Sequence, residues 1–477
     1  MADGALERET GDRKMSAAQK FDVIVAGAGI SGLTTAWELH RGGHRVLVLE
    51  AQSRPGGAIG TTREAGALVE SGPNSMLETS PLIAKLVGEV GLAGDRVEAN
   101  PVAKKRFILR GGRLIPVPTS PGAFFSTPLF SAGTKLGLLR EPFIPRYSGA
   151  SDETVAGFVR RRLGPEFLDY AINPFVAGVY AGDPERLSVK AAFPRLDDLE
   201  AKYGSLIRGA ILGARERKRN PEKSKQTAAM MSFRDGMQSL TDAIAGRLPA
   251  VETGTRIVAY CREADGTFVV SVEGAAGVRE LHARALVLAM PADATAAMVE
   301  RHSRDAAETL RSVPYPPVAS VVMVFGRDRV AHPLDGFGFL VPEKEKRRIL
   351  GTIFSSTLFE NRAPADRVVL TTFVGGTRQP ELAMQDDASI VATVKAELGQ
   401  LIGASGDPVA VRVSRWARAI PQYNVGHLDR VARVERLASE QPGLFFCANW
   451  RGGISVGDCI KSAYASAERI SGFLGAG

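Results

Sequence analysis

At 477 residues the chain exceeds what one hydrophobic core usually supports, so two or three structural units are expected. Hydrophobic residues are 44% and charged residues 23%, an ordinary soluble composition, and the net charge of +8 reads first as a well-solvated surface. Sharper readings of that charge are attraction to anionic membrane lipid or to an acidic ligand; nucleic acid is disfavoured, because no basic run is interleaved with aromatics in a recognisable module.

Residues 1 to 20 are polar and mixed in charge, without the basic start and apolar centre of a secretory signal, and are expected to be a disordered extension. The apolar stretch from Phe21 to Trp37 is broken by Asp22, Ser31, Thr34, Thr35 and glycines, so it does not read as a membrane span. Instead FDVIVA (21 to 26) is a buried strand, SGLTTAWELH is a helix ended by Gly42 and Gly43, and RVLVLE (45 to 50) is a second strand: one βαβ unit. Residues 98 to 205 carry helical patterning with scattered prolines and exposed-looking aromatics, and the charge run at 215 to 226 reads as a solvated loop. From about 251 the strands return. TRIVAY, the turn Asp265-Gly266 and TFVVSV form a hairpin, and RALVLAMP (284 to 291) is a buried strand. The last forty residues repeat the opening: strand LFFCAN, a glycine-rich turn, and the helix DCIKSAYASAERI. The cysteines Cys261, Cys447 and Cys459 have neither paired nor metal-ligand spacing, which suits a reducing cytosol and predicts no metal site.

Gly27-Ala28-Gly29-Ile30-Ser31-Gly32 is a G-x-G-x-x-G between a strand and a helix, and Glu50 closes the next strand. Each glycine has a physical role: Gly27 permits the tight turn, Gly29 lets a pyrophosphate approach the backbone, and Gly32 lets helix and strand pack closely. The helix N-terminus favours phosphate, and Glu50 accepts from ribose hydroxyls. After Glu50 and Ala51 comes Arg54-Pro55-Gly56-Gly57, and here the chain resembles the two-dinucleotide-binding flavoproteins, in which R-x-G-G helps hold the pyrophosphate and ribityl chain. Ala58 stands where a second arginine is usual. Gly72-Pro73-Asn74 resembles the same superfamily's segment beside the flavin, and Gly452 to Asp458 resembles its C-terminal turn, with Asp458 suited to cap the last helix. In that resemblance Val258, Ile454, Ser455 and Val456 also belong to the cofactor site, and the cofactor is non-covalent FAD.

Longer stretches narrow the resemblance: GPNS (72 to 75), NPFVAGVYAGDPERLSVKAAFPRL (173 to 196), DGFGFLVP (335 to 342), LGTIFSS (350 to 356), TTFVGGTRQPEL (371 to 382), IPQYNVGH (420 to 427) and GDCI (457 to 460). On these the chain is similar to the oxygen-dependent protoporphyrinogen oxidases over nearly all of residues 21 to 470. The fold class this implies is α/β, with a Rossmann-like FAD domain of the two-dinucleotide-binding type (21–97, 235–297, 434–477). An α+β substrate domain (205–234, 298–433) and a helical membrane-contacting domain (98–204) complete it. The implied partners are a porphyrinogen and oxygen. A cytoplasmic location, peripheral on the inner face of the membrane, and a homodimer are compatible with it.

The same resemblance assigns substrate contacts. Arg106 matches an arginine that pairs with a propionate, against the plain reading of Lys104-Lys105-Arg106 as a solvated basic patch. Leu340 and Ile353 match an apolar pair clamping the macrocycle, Phe373 an aromatic stacking on it, and Asn74 a polar residue beside the flavin. Gly178 reads either as a close backbone approach or as a plain loop glycine, and Trp416 equally as a neighbour of the flavin ring and as a core tryptophan. Phe107 stands where many relatives have Tyr, with a small effect expected on pocket polarity. No catalytic acid or base is assigned, because the flavin accepts the hydride. The nearest rival substrate is coproporphyrinogen III, whose oxidases often lack the arginine and carry Asp in place of Asn74. A flavin amine oxidase is a more distant rival.

Overall fold

The computed structural model describes residues 20–149, 151–213, 222–223 and 227–475. The expected N-terminal extension and most of the charge run at 215 to 226 lie outside the described residues.

Short runs of consecutive apolar residues predict strands buried on both faces, and the first sheet has that form. Lys20–Ala26 pairs in parallel with Val46–Leu49 and with Gly277–Leu288, while Val251–Glu252 and Leu444–Phe446 extend the parallel part. Phe268–Gly274 and Arg256–Arg262 add an antiparallel flank, completing seven strands among the described residues. The period of two along a strand sends Val23 and Val25 to one layer and Ile24 and Ala26 to the other. The first layer holds the helices Ile30–Arg41, Pro81–Glu89, Gln238–Ala245 and Val456–Gly475, and the second holds Ala292–Val299, Arg304–Arg311 and His427–Glu440. This is the three-layer α/β arrangement expected.

The second sheet runs Ala410–Trp416, Val318–Gly326, Arg367–Gly375, Gly351–Phe354, Gly338–Leu340, Phe107–Arg110, Arg113–Pro116. One face is core: Val321, Met323, Phe325, Phe339, Phe354 and Leu370 pack on the helix Asp387–Ile402 through Ile390, Val394 and Leu398. Alternation turns Leu340, Ile353 and Phe373 to the opposite face, where each is half-buried. Farther along that face, Val322, Val324 and Val369 are covered by Ala67 and Val69 of the hairpin Thr61–Glu64/Ala67–Glu70.

Two boundaries differ from those read in the sequence. The hairpin Phe107–Arg110/Arg113–Pro116, inside the segment assigned to the helical unit, is built into the second sheet by parallel pairing of Phe107 with Phe339. The helix Leu206–Leu212 packs on Pro194–Tyr203 and on the turn Leu138–Phe143, so it belongs with the helices rather than with the substrate unit. The pairing of Phe107 with Phe339 and the contact of Leu206–Leu212 with Leu138–Phe143 are long-range and are not encoded in local patterning.

The helical region packs an apolar cluster around Val155, Phe158, Val159, Leu168 and Val176, with a buried ion group beside it. Arg162, with no exposed side-chain surface, bonds Glu141 (2.8 Å) and Glu200 (2.9 Å through Nε). Burial alone would raise the Glu141 carboxyl, but the Ser205 hydroxyl, the Leu206 and Ile207 N–H groups and Arg162 hold it below its ordinary value. Its outside is apolar: Phe125, Leu136, Leu139, Phe143, Ile211 and Leu212 are exposed, Phe143 by 79%. No helix among the described residues is long and apolar enough to cross a membrane.

Candidate active site

The first glycine turn matches the roles its residue types predict. Gly27 adopts φ +109°, and a Cβ there would lie 2.9 Å from the Ala289 carbonyl oxygen; a Cβ on Gly32 would overlap the Gly27 carbonyl oxygen. A Cβ on Gly29, in contrast, would meet no protein atom within 4 Å. The helix that starts at Ile30 has no side-chain cap, so its leading N–H groups, including those of Ile30 and Ser31, face that open space unpaired within the helix. Such a cradle fits a pyrophosphate. Buried Glu50 accepts from Ala28 N (2.8 Å) and Gln52 N (2.9 Å), which fixes the carboxylate and leaves lone pairs for ribose hydroxyls. Ala51 is exposed just beyond. Thr255 N donates to Glu50 O (2.8 Å), bringing Val258 to this end; the strand register slips there, leaving Val258 without a cross-strand partner.

Arg54 is a brace. Its guanidinium donates to the carbonyls of Pro55 (3.0 Å), Gly57 (3.2 Å) and Ile59 (2.8 Å), and Gly56 N docks that loop on Ala28 O (2.8 Å). Its support for a phosphate therefore runs through the shape of the loop that carries Gly56 and Gly57.

At the other end of the chain, the last helix begins at Val456, two residues before the expected cap. Ser455 is the N-cap, its hydroxyl accepting from Asp458 N (3.1 Å), and Asp458 sits one turn in, accepting from that hydroxyl through its carboxylate (2.6 Å). The expectation for Asp458 is thus corrected: the Ser hydroxyl reaches the third helical N–H, a position an acid fills as the reciprocal partner. Helices Ile30–Arg41 and Val456–Gly475 run side by side in the same direction. Ser31 hydrogen-bonds Cys459 at one end, and His44 Nε2 lies 3.2 Å from Ser471 Oγ at the other. Two turns more than 400 residues apart therefore present adjacent helix N-termini, with Ile454 half-buried between the second turn and the helical region. Burial pushes the Cys459 thiol up to about 12 and raises Cys447, which accepts from Thr35 Oγ1 (3.4 Å), so both are inert structural thiols.

Between these turns and the second sheet lies the half-buried segment Ser71-Gly72-Pro73-Asn74, which continues the strand covering that sheet's open face. A Cβ on Gly72 would overlap the Ala58 carbonyl oxygen, so the segment lies tight against the Arg54 loop. Trp416 Nε1 donates to Ser71 O (3.0 Å), placing the ring at the sheet edge beside this segment rather than in the core. Asn74 Nδ2 donates to Gly72 O (3.2 Å), which leaves its amide oxygen for a ligand.

The open face of the sheet is an apolar slab. Leu340, Gly351 and Phe373 lie in one cross-strand row, and Ile353 in the next. The helix Asn173–Tyr180 closes one end through Ala177, which packs with Val318, Leu350 and Phe373. Gly178 is exposed on that helix, and a Cβ there would press on the Leu340 side chain (2.6 Å), so it lies in a helix tight against the sheet rather than in a loop. Arg106 stands at the rim. Lys105 beside it pairs with Asp335 (2.5 Å), whereas Arg106 has no carboxylate partner among the described residues and lies over the Phe337 ring at 5.3 Å. Although Arg106 is solvent-accessible, the surrounding protein withdraws enough water to lower its guanidinium pKa from the ordinary value. Phe337, inside DGFGFLVP, comes to lie under Arg106 through pairing across the sheet, a placement that local sequence does not encode. Phe107 faces the core, edge-on to His332 (5.6 Å), so its lack of a hydroxyl leaves the slab unchanged, contrary to expectation.

Comparison with known proteins agrees with this geometry. The family described as flavin containing amine oxidoreductase matches residues 30–471. The chain is 36% identical to the chloroplastic protoporphyrinogen oxidase of Oryza sativa subsp. japonica over 95% of this chain and 88% of the relative. It is 27% identical to the coproporphyrinogen III oxidase of Bacillus subtilis (strain 168), covering 95% and 99%. The crystal structure of a protein described as a putative protoporphyrinogen oxidase from Exiguobacterium sp. 255-15 superposes with a TM-score of 0.79 at 26% identity, covering 96% of this chain and 99% of that one. The chain therefore belongs to the flavin-containing amine oxidoreductases and, within them, to the protoporphyrinogen oxidase family.

Proposed function

We propose that this enzyme oxidises protoporphyrinogen IX to protoporphyrin IX in haem biosynthesis, with oxygen as electron acceptor and hydrogen peroxide as product, using non-covalently bound FAD. Bound FAD supplies a two-electron acceptor that oxygen can regenerate. The chain's own residues bind and orient. Gly29, Ser31 and Ile30 would cradle the pyrophosphate, Glu50 and the Val258 bulge would hold the adenosine end, and the turn before Val456 would lie toward the ring. Leu340 and Ile353 press the macrocycle from the sheet while Phe373 stacks on it, and Arg106 neutralises a propionate. No acid or base side chain is assigned at the slab; the pyrrole proton goes to solvent or to a weak base.

The observation that carries this reading is Arg106: a partly desolvated cation with no carboxylate partner among the described residues, at the rim of an apolar slab. That combination suits a flat, greasy substrate with a carboxylate at its edge. The test is fluorescence appearing from protoporphyrinogen, with oxygen consumed and peroxide formed. Exclusive turnover of coproporphyrinogen III would transfer the assignment to the tetracarboxylate, which the Bacillus relative makes the second reading. Complete release of flavin on acid precipitation would support the non-covalent linkage.

The apolar exterior of the helical region, with Lys135, Arg140 and Arg208 among it, supports peripheral docking on the cytoplasmic face of a membrane. Co-sedimentation with anionic vesicles, lost in a Leu139→Asp/Phe143→Asp variant, tests this.

A further inference from the structure

The segment Ile420 to His427 belongs to neither glycine turn nor to the slab, yet it touches what lies behind both turns. The Tyr423 hydroxyl donates to Asn449 O and accepts from Gly453 N (2.9 Å). Gly453 stands at φ +114°, in the turn that leads to the Ser455 cap. The Tyr423 ring stacks on His427 (centroids 4.1 Å apart, planes 13° apart). His427 Nε2 lies 2.8 Å from Trp450 O; a carbonyl can only accept, so Nε2 carries the hydrogen here. Trp450 in turn donates through Nε1 to Met290 O (3.3 Å), and the Met290 side chain and the Ala289 carbonyl abut Gly27. One stacked pair thus grips the backbone at 449, 450 and 453, and that backbone leans on the strand end behind the first turn.

We infer that Tyr423 and His427 are positioning residues for the flavin: they set the register of the 449–455 turn, and with it the aim of the C-terminal helix N-terminus at the ring. The inference rests on the FAD-binding reading above. Local side chains fasten the turn chiefly after Gly453, through Ser455 and Cys459, whereas the short helix Asn449–Gly452 has no side-chain cap and Gly453 favours no single conformation. Without the Tyr423 hydroxyl, Gly453 N loses its acceptor and the turn can relax, while the ring stack on His427 survives.

The experiment compares the purified full-length protein with Tyr423→Phe and His427→Gln, each stripped of flavin and titrated with FAD. Flavin-free stability is measured in parallel. Tyr423→Phe should bind FAD about tenfold more weakly and shift the flavin visible bands and reduction potential, because one hydrogen bond that shapes the site is gone. His427→Gln, which keeps a donor for Trp450 O, should retain most of the affinity, whereas His427→Leu should not. If Tyr423→Phe changes only the stability of the flavin-free protein and keeps the wild-type FAD affinity, bands and potential, the pair is merely structural and the inference is overturned. If the wild-type chain itself takes up no FAD, the failure lies with the functional reading.

Discussion

The two glycine turns present adjacent helix N-termini but are held in different ways. The first is self-supporting: Gly27, Glu50 and Arg54 fasten it through hydrogen bonds to backbone within about thirty residues. The second has a local cap in Ser455, but its 449–453 stretch is fastened from outside, by side chains of Tyr423 and His427 in the preceding segment. A turn built from its own backbone tolerates little change in residue size, whereas a turn held by borrowed side chains is sensitive to whatever perturbs those side chains.

The largest effect should follow from crowding the self-supporting turn. Gly32→Val places methyl groups against the Gly27 carbonyl and should cost at least about 3 kcal/mol and abolish flavin binding. Recovery of yellow, thermally stable Gly32→Val protein would break the contrast.

Acid should find the borrowed turn. Burial, countered in part by the bond to Trp450 O and reinforced by Arg430, pushes His427 from its ordinary 6.5 down to about 4. Between those values the unfolded chain binds a proton that the folded one refuses. The contribution is whole above pH 6.5 and is lost as pH falls toward 4, by about 3 kcal/mol. Denaturant titrations across that window should show the slope, and His427→Gln should flatten it.

Glu50→Gln tests the first turn with a smaller change. An amide cannot accept from both Ala28 N and Gln52 N, so one pair becomes donor against donor, and FAD affinity should fall by about 2 kcal/mol, roughly thirtyfold in a fluorescence titration. Arg106→Ala lies outside both turns and should leave FAD affinity untouched while raising KM for the porphyrinogen about tenfold at nearly constant kcat. A drop in kcat alone would mean that Arg106 acts on the chemistry rather than on binding.

The same contrast explains what could be read in advance. The first turn was legible because strand, glycines, helix and Glu50 are consecutive, and each glycine answers a local constraint. The second was legible as a turn but not in detail: the cap is Ser455, and which of two neighbouring polar residues reaches the helix depends on where the first turn of helix starts. Tyr423 and His427 lie in the stretch IPQYNVGH without a role that the sequence assigns, since neither carries periodicity and both act on backbone some twenty-five residues away. Likewise the hairpin Phe107–Pro116 was grouped with the helices, because its partner strand, Gly338–Leu340, lies more than two hundred residues later. Leu340, Ile353 and Phe373 came from family likeness; alternation along paired strands is what puts them on one face.

The ion cluster around Arg162 has a consequence for which changes this region tolerates. Arg162, Glu141 and Glu200 sit out of water beside the apolar cluster of Val155, Phe158 and Val159, so each charge is tolerable only while its partners remain. Removing one leaves the others charged and dry, whereas apolar side chains of similar size in place of all three leave nothing unpaired. Loss of the Arg162 charge alone should therefore unfold this region more readily than loss of the whole cluster.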